Sequence, residues 1–150
     1  MSAFLIDTNI LVYMYDPRDK GKQRRAFEVV DSLISMKAAV LSIQCLTELF
    51  RVIRWRLPHS LSHRDALAEV ENLSLSCRVL TLTPPIFLEG CRATEDHGLS
   101  YWDALIWAAA KLNGVPYLIS EDMQHGRVLE NVRFLHPFHP SFDIDTLKAS

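Results

Sequence analysis

Residues 2–14 read SAFLIDTNILVYM, and the rest of the 150-residue chain is best interpreted outward from this stretch. The apolar run Phe4–Ile6 predicts a buried strand, and it ends abruptly at a carboxylate, Asp7. In an open parallel sheet, ligands bind just beyond the carboxyl ends of the strands, which would put this acid where chemistry takes place. An alternative interpretation is that Asp7 caps a helix starting near Ile10, because aspartate is a preferred N-cap residue. The choice depends on whether other acids converge on Asp7.

Short apolar runs and longer amphipathic segments alternate along the chain. Four further runs predict strands, at residues 38–42, 78–82, 116–120 and 132–135. The intervening segments predict helices, over residues 21–36, 44–56, 62–73, 85–97 and 100–112. Strands separated by helices form parallel βαβ units. The sequence therefore predicts an α/β fold, a three-layer α/β/α sandwich with a central, mainly parallel five-stranded sheet, in one domain spanning residues 1–150.

The composition is that of a globular protein and excludes several classes of function. The net charge is −2, which argues against bulk electrostatic binding of nucleic acid and leaves a local basic patch open. No apolar run is long enough to span a membrane and no signal peptide is visible, so a cytoplasmic protein is expected. The three cysteines are far apart in the sequence, and they are expected to be reduced and buried.

Three other acids are predicted to lie at the same edge of the sheet as Asp7. Asp122 follows the fourth strand, Asp103 lies in the first turn of the last helix, and Glu48 lies in a helix that begins after the second strand. Each acid also has an ordinary interpretation. Asp122 can be a loop acid, and Asp103 can complete a helix cap. Arg51, three residues after Glu48, favours a surface ion pair there, and helical periodicity alone predicts that Glu48 is solvated.

Carboxylates brought together in this way call for a cation. Three or four of them repel one another, and their pKa values rise unless a cation neutralises the charge. Hard divalent cations take oxygen ligands, and Mg²⁺ typically combines one or two carboxylates with waters and phosphate oxygens. The histidines are scattered and offer no zinc site. The glycine-rich phosphate loops of nucleotide-binding proteins are also missing from the sequence.

Four short motifs together resemble the PIN-domain family, and the compact length resembles its VapC-type ribonuclease toxins of type II toxin–antitoxin modules. The motifs are LIDTNIL around Asp7, LTELF around Glu48, SYWDALIWAAA around Asp103 and ISED ending at Asp122. The resemblance implies that these four acids converge on one pocket and hold Mg²⁺ or Mn²⁺, with Asp7, Asp103 and Asp122 as metal ligands. In the hydrolysis this implies, Asp7 and Asp103 are the expected principal ligands, and Asp122 and Glu48 are expected to bind a second ion or to orient the attacking water. It leaves open whether Glu121 shares the role of Asp122. The positions expected to support the pocket by hydrogen bonding are Thr8, Asn9 and Ser120.

The same resemblance implies an activity and partners. The chain is expected to be an endoribonuclease that hydrolyses RNA phosphodiester bonds by metal-activated water, as the toxin of a toxin–antitoxin pair. Its expected partners are RNA, a cognate antitoxin protein and a second copy of the chain in a homodimer, with no membrane. Candidate phosphate contacts are Lys20, Lys22, Arg24, Arg25, Arg51, Arg54 and Arg56, with Trp55 as a candidate stacking residue. Candidate partner contacts are Trp55, Trp102 and Trp107, for which core packing is the ordinary alternative.

Two other functions remain open at this point. One is a PIN-like module that binds RNA or protein without cleaving, which the intact set of acids disfavours. The other is a Mg²⁺-dependent phosphotransfer domain on a doubly wound sheet. Haloacid dehalogenases would need an aspartate where Asn9 stands, and a receiver domain would need an acidic pair at the first strand and a lysine on the last. The sequence has only Asp7 at the first strand and no lysine in residues 132–139.

Overall fold

The computed structural model describes residues 2–150 of the chain. The strands are β1 (Phe4–Ile6), β2 (Ala39–Ser42), β3 (Arg78–Leu80), β4 (Tyr117–Ile119), β5 (Val128–Leu129) and β6 (Val132–Leu135). The helices are α1 (Thr8–Tyr13), α2 (Lys20–Ser35), α3 (Ile43–Trp55), α4 (His63–Ser76), α5 (Pro84–Asp96), α6 (Tyr101–Leu112) and α7 (Thr146–Ala149). Every strand and helix predicted from the sequence is present, and β5 and α7 are additional elements.

The strands form one sheet in the order β3-β2-β1-β4-β6-β5. Five of them run parallel, as predicted, and β5 pairs antiparallel with β6. The prediction of a five-stranded sheet is therefore corrected to six strands. The additional strand has two residues in a tight hairpin, which is too short to produce a hydrophobic pattern in the sequence. An antiparallel edge strand on an otherwise parallel sheet is common in α/β proteins.

The connections place helices on both faces of the sheet. The chain passes from β1 to β2 to β3 through α1–α4, and then returns to β4 through α5 and α6. Because such crossovers are right-handed, the reversal of direction puts α5 and α6 on the face opposite α1–α4. The helix contacts agree, since α5 packs on α6 while α1 contacts α2 and α3. The predicted three-layer sandwich is confirmed.

Helix α6 is buried along most of its length. Residues 104–110 are all buried, as their lack of polar side chains predicts. Trp107 is fully buried and its indole N–H donates to the Leu129 carbonyl, so the prediction of a partner contact is wrong for this residue and it packs in the core. Gly90 of α5 allows the close approach of the two helices, because a Cβ atom there would lie 2.9 Å from Cδ2 of Leu105.

Serine or threonine hydroxyls cap the starts of α3, α4, α5 and α6, and two of these helices begin at the carboxyl edge of the sheet. Ser42 is the last residue of β2 and caps α3, and Ser100 caps α6. Each hydroxyl accepts the backbone N–H three residues further on, the usual capping geometry. As a consequence, Asp103 in the first turn of α6 and Glu48 in the second turn of α3 lie near that edge.

The structure also tests the expectations about membrane spans and about buried cysteines. Across residues 2–150, every helix is too short or too polar to cross a bilayer. All three cysteines are free. Cys45 is buried and Cys77 is half-buried, but Cys91 is exposed on α5, so the prediction of buried thiols is wrong for Cys91.

Candidate active site

The direction of the sheet connections reverses between β1 and β4, and the chain segments leaving this point are polar. Ile6 and Ile119, the last residues of the two strands, are paired in register. The backbone N–H of Asp7 donates to the Ile119 carbonyl at 2.9 Å. The segments that carry Asp7 and Asp122 therefore leave the sheet side by side. In open α/β sheets, this reversal point is where ligands bind.

Asp103 reaches the same place from the first turn of α6. One carboxylate oxygen from each of Asp7, Asp103 and Asp122 lies within 4.8 Å of the other two. Asp7 and Asp103 are partly buried, and Asp122 is exposed. We call these three residues the acid cluster. Within residues 2–150, no other group of three histidine, cysteine or acidic side chains comes this close together.

Hydrogen bonds from neighbouring side chains hold two members of the acid cluster. The fully buried Ser120 hydroxyl donates to Asp7 Oδ2 at 2.7 Å and accepts the backbone N–H of Asp122 at 3.1 Å. Asn9 Nδ2 donates to Asp122 Oδ2 at 3.0 Å and to Ser120 Oγ at 3.3 Å. The other oxygen of Asp7 accepts the Thr8 N–H at 2.7 Å, and Asp7 is the N-cap residue of α1. Its capping role and its place in the cluster are therefore compatible.

Ionising the acid cluster is unfavourable in the absence of a cation. Desolvation raises the pKa of Asp7 from its ordinary value of 3.8 to about 6, although Ser120 and Thr8 hydrogen-bond to the charged form. Repulsion from Asp103 and Asp122 adds to the rise. Partial burial is also the main reason that the pKa of Asp103 is raised. Within residues 2–150, no lysine, arginine or histidine forms an ion pair with any member of the cluster.

Three basic side chains are each paired with an acid that lines the cleft but lies outside the acid cluster. The pairs are Arg18 with Asp16 at 2.8 Å, Arg51 with Glu48 at 2.6 Å, and Lys22 with Glu121 at 3.2 Å. Both arginine pairs and Glu121 line the same cleft as the acid cluster, and this cleft encloses about 690 Å³. The negative charge of the cluster is therefore left for a cation from solution.

The donor set of the acid cluster fits a hard divalent cation. Oxygens on opposite sides of a Mg²⁺ ion lie about 4.2 Å apart, twice the usual bond of about 2.1 Å, and larger ions allow more. Oxygens already within 4.8 Å of one another need only small side-chain movements to reach that spacing. The cluster contains only carboxylates, which disfavours zinc. A cation bound there would also offset the repulsion that helps to raise the pKa of Asp7, because it would favour the charged form of this acid.

Two of the predicted site acids lie outside the acid cluster. Glu48 lines the cleft with its side chain 43% exposed, and its two oxygens accept hydrogen bonds from Arg51. This is the surface pair that the spacing of three residues predicts. Glu121 accepts hydrogen bonds from the Tyr13 hydroxyl and from Lys22. The structure thus brings Asp122, and not Glu121, into the cluster.

The candidate phosphate contacts are spread over several surfaces. Of the predicted basic residues, Arg51 is the one that lines the cleft. Lys20 and Arg24 line a separate, shallow depression. Arg54 donates to the Leu61 carbonyl, which ties it to its own helical hairpin. The other three predicted contacts lie elsewhere. Arg25 packs over the ring of Phe142, Lys22 pairs with Glu121, and Arg56 is exposed at the end of α3.

Trp55, the predicted stacking residue, does not line the cleft. It is exposed and packs edge-on against Phe50. Two other residues, Trp102 and Arg18, line the cleft but were not predicted as RNA contacts. Trp102 is 65% exposed and lines the cleft beside Asp103. Arg18 also lines it, and the signal available in the sequence was the acid two residues earlier, which pairs with this arginine.

Comparisons with known proteins identify a family and several similar folds. A family model described as PIN domain matches residues 4–130. A chain of a toxin–antitoxin complex from Klebsiella pneumoniae superposes with a TM-score of 0.67 at 17% identity, covering 91% of this chain and 98% of that one. DNA-bound VapBC from Salmonella typhimurium gives 0.64 at 19% identity, with 89% and 97% covered. VapC20 from Mycobacterium tuberculosis, a sarcin–ricin loop cleaving toxin, gives 0.59 at 20% identity, with 77% and 87% covered. No curated protein matches the sequence significantly.

Proposed function

Because the chain belongs to the PIN domain family, we propose that it is a metal-dependent endoribonuclease that acts as the toxin of a toxin–antitoxin pair. The observation that carries the proposal is the acid cluster at the reversal point of the sheet. Its three carboxylates lie within 4.8 Å of one another and have no cationic partner in residues 2–150. An arrangement with so much uncompensated charge suits the binding of a divalent cation better than a structural role.

We assign Asp7 and Asp103 as the principal ligands of Mg²⁺ or Mn²⁺, with Asp122 as the third. A divalent ion held there lowers the pKa of water and stabilises negative charge on a phosphoryl oxygen. Ser120 and Asn9 orient the carboxylates of Asp7 and Asp122 through the hydrogen bonds described above. Their donors also offset part of the repulsion inside the cluster.

The predicted catalytic role of Glu48, in holding a second ion or orienting the attacking water, stays a prediction. Glu48 lies in the wall of the same cleft, so a substrate bound there would pass close to it. In the described structure, however, both carboxylate oxygens are occupied by Arg51. A direct role would require Glu48 to exchange this partner for an ion or a water molecule.

The proposed partners follow from the similar folds. The complexes from Klebsiella pneumoniae and Salmonella typhimurium contain a toxin and an antitoxin, and this chain covers 98% and 97% of the chains it matches there. We propose a protein antitoxin as the partner of this chain as well. RNA is proposed as the substrate because the sequence motifs resemble those of ribonuclease toxins, and VapC20, a sarcin–ricin loop cleaving toxin, has a similar fold. A homodimer remains a prediction from the resemblance.

Incubation of the purified protein with mixed cellular RNA tests the proposed activity. We expect discrete cuts with Mg²⁺ or Mn²⁺ that disappear with chelator and in the variants Asp7→Asn and Asp103→Asn. The ends should be 5′-phosphate and 3′-hydroxyl, because water is the expected nucleophile. Asp31→Asn, at an exposed position on α2, is the matched control and should cut like the parent. Ends with 2′,3′-cyclic phosphate, or cutting that survives Asp103→Asn, would contradict the proposal.

Thermal unfolding tests metal binding separately from cleavage. A ligand that binds only the native state adds about 2.7 kcal/mol of stability at a concentration one hundred times its Kd. We expect Mn²⁺ to raise the Tm of the parent in a concentration-dependent way, and expect the rise to vanish in Asp103→Asn. A protein that binds the ion but cuts no RNA would support the silent binding module instead.

A further inference from the structure

We propose that Arg18 and Arg51 form a phosphate-binding pair for the RNA backbone in the walls of the active-site cleft, each held in place by its own carboxylate. The inference rests on the proposed ribonuclease function and adds a binding site to it. Both arginines line the cleft that contains the acid cluster. They come from different parts of the chain, since Arg18 follows α1 and Arg51 belongs to α3.

Arg18 is held by Asp16. The guanidinium donates from Nε to Asp16 Oδ1 at 2.9 Å and from Nη2 to Asp16 Oδ2 at 2.8 Å. The backbone N–H of Arg18 donates to the same carboxylate at 3.1 Å. The side chain of Asp16 is only 10% exposed, whereas that of Arg18 is 65% exposed. A nearly buried acid therefore anchors an arginine that remains accessible to solvent.

Arg51 is held by Glu48 in the same way. Its Nε donates to Glu48 Oε2 at 3.1 Å and its Nη2 donates to Glu48 Oε1 at 2.6 Å. The arginine side chain is 47% exposed. Both arginines thus give the same edge of the guanidinium, the one formed by Nε and Nη2, to their carboxylates.

The opposite edge of each guanidinium stays available to a ligand. A guanidinium has five N–H donors, and a side-on carboxylate uses the one on Nε and one on Nη2. Among residues 2–150, Nη1 of Arg18 and of Arg51 donates no hydrogen bond. Two N–H groups on Nη1 and one on Nη2 match the geometry of a phosphate, which arginine binds in a bidentate way. The paired acid fixes the side chain in advance and reduces the entropy cost of binding.

An RNA strand in the cleft must bind beside the negatively charged acid cluster. The acid cluster repels a polyanion, and a strand that places one phosphate there needs favourable interactions for the neighbouring phosphates. Each arginine is neutralised by its acid, so the attraction comes from directed hydrogen bonds and not from a large positive patch. This agrees with the net charge of −2 for the whole chain.

Simple removal of an arginine would leave its acid unpaired and weaken RNA binding by repulsion alone. The informative variants are therefore the charge-neutral pairs Asp16→Asn with Arg18→Gln, and Glu48→Gln with Arg51→Gln. Both are made in an Asp103→Asn parent, so that cleavage does not interfere with the measurement. Binding of a fluorescently labelled, short single-stranded RNA is followed by anisotropy at several salt concentrations.

We expect each double variant to raise the Kd about tenfold, the effect of removing one charge-assisted hydrogen-bonding group. The slope of log K against log salt should change little, because each double variant leaves the net charge of the cleft unchanged. Arg78→Gln is the matched control, because Arg78 is exposed at the start of β3, at the edge of the sheet opposite the cleft. It should leave the Kd within about twofold of the parent. Melting temperatures of all variants show that they are folded.

The outcomes separate this inference from the proposed nuclease activity. If both double variants bind RNA with the Kd of the parent, or if the parent binds no RNA, the phosphate-binding pair is refuted. If the unsubstituted protein cuts no RNA but the double variants still weaken binding, the pair stands and the nuclease proposal fails. Should the Asp16 variant unfold because that acid is nearly buried, the pair on α3 decides the question alone.

Discussion

Replacing Asp7 by asparagine should stabilise the metal-free protein at neutral pH, although Asp7 caps α1. The pKa of this acid rises from 3.8 in the unfolded chain to about 6 in the folded one, so the native state holds a proton that the unfolded state has released. Stability therefore falls as the pH rises through this window, by about 3 kcal/mol in total. About 2 kcal/mol of that change falls between pH 4.5 and 7. Asparagine carries no charge at any of these pH values, so the Asp7→Asn variant does not show this pH-dependent loss of stability.

The substitution also has a cost that does not depend on pH. An asparagine oxygen can accept from the Thr8 N–H or from the Ser120 hydroxyl, but it cannot serve both as the two carboxylate oxygens do. Losing one such bond costs about 1 kcal/mol. The net expectation is a gain of about 2 kcal/mol at pH 7 that turns into a loss of about 0.5 kcal/mol near pH 4.

Urea unfolding with chelator, repeated from pH 4.5 to 7, measures this difference directly. The unfolding free energy of Asp7→Asn minus that of the parent should rise by about 2 kcal/mol across the range. Asp31→Asn on the exposed face of α2 is the control, and it should change stability by less than about 0.5 kcal/mol. A difference that stays constant with pH would refute the reasoning and make Asp7 chiefly a structural cap.

The role of Glu48 and the packing of α5 on α6 yield two more predictions. If Glu48 keeps Arg51 away from the acid cluster, Glu48→Gln should weaken Mn²⁺ binding by several-fold in calorimetry, and adding Arg51→Gln should restore it. A Glu48 that is itself a metal ligand would show no such restoration. Gly90→Ala should lower the unfolding free energy by about 1 kcal/mol or more in urea, because the new Cβ meets the buried Leu105 at 2.9 Å. In Gly21→Ala, where the nearest atom is at 3.5 Å, helix propensity should instead add up to about 1 kcal/mol, and equal losses in both variants would contradict this packing argument.

Most of the architecture could be predicted because it depends on local patterns. The strand runs, the helical segments and the apolar stretch at 104–110 all appear in the structure as predicted. Strand β5 could not be predicted, since two residues carry no periodic signal and its pairing depends on the neighbouring β6. The buried state of Cys91 was wrongly predicted because composition does not say which face of α5 looks outward.

The site was only partly accessible to the same reasoning. Glu48 and Arg51 are three residues apart on one helix, so their ion pair follows from helical geometry. By contrast, Asp7 and Ser120 are 113 residues apart, and their hydrogen bond depends on β1 pairing with β4. Likewise, the sequence could not show which of Asp122 and Glu121 joins the acid cluster. Glu121 is outside it because Tyr13 and Lys22, which are distant in the sequence, bind its carboxylate.

The amino-acid sequence by itself determined the order of strands and helices, the acids that follow them, and the family resemblance. These are properties of residues close together in the chain, where propensity, capping and periodicity act. The tertiary structure decided which acids share one site and which are paired with Arg18, Arg51 and Lys22. Strand order and side-chain partners arise from long-range packing, and an acid becomes part of a cation site only when packing leaves it without a partner of its own.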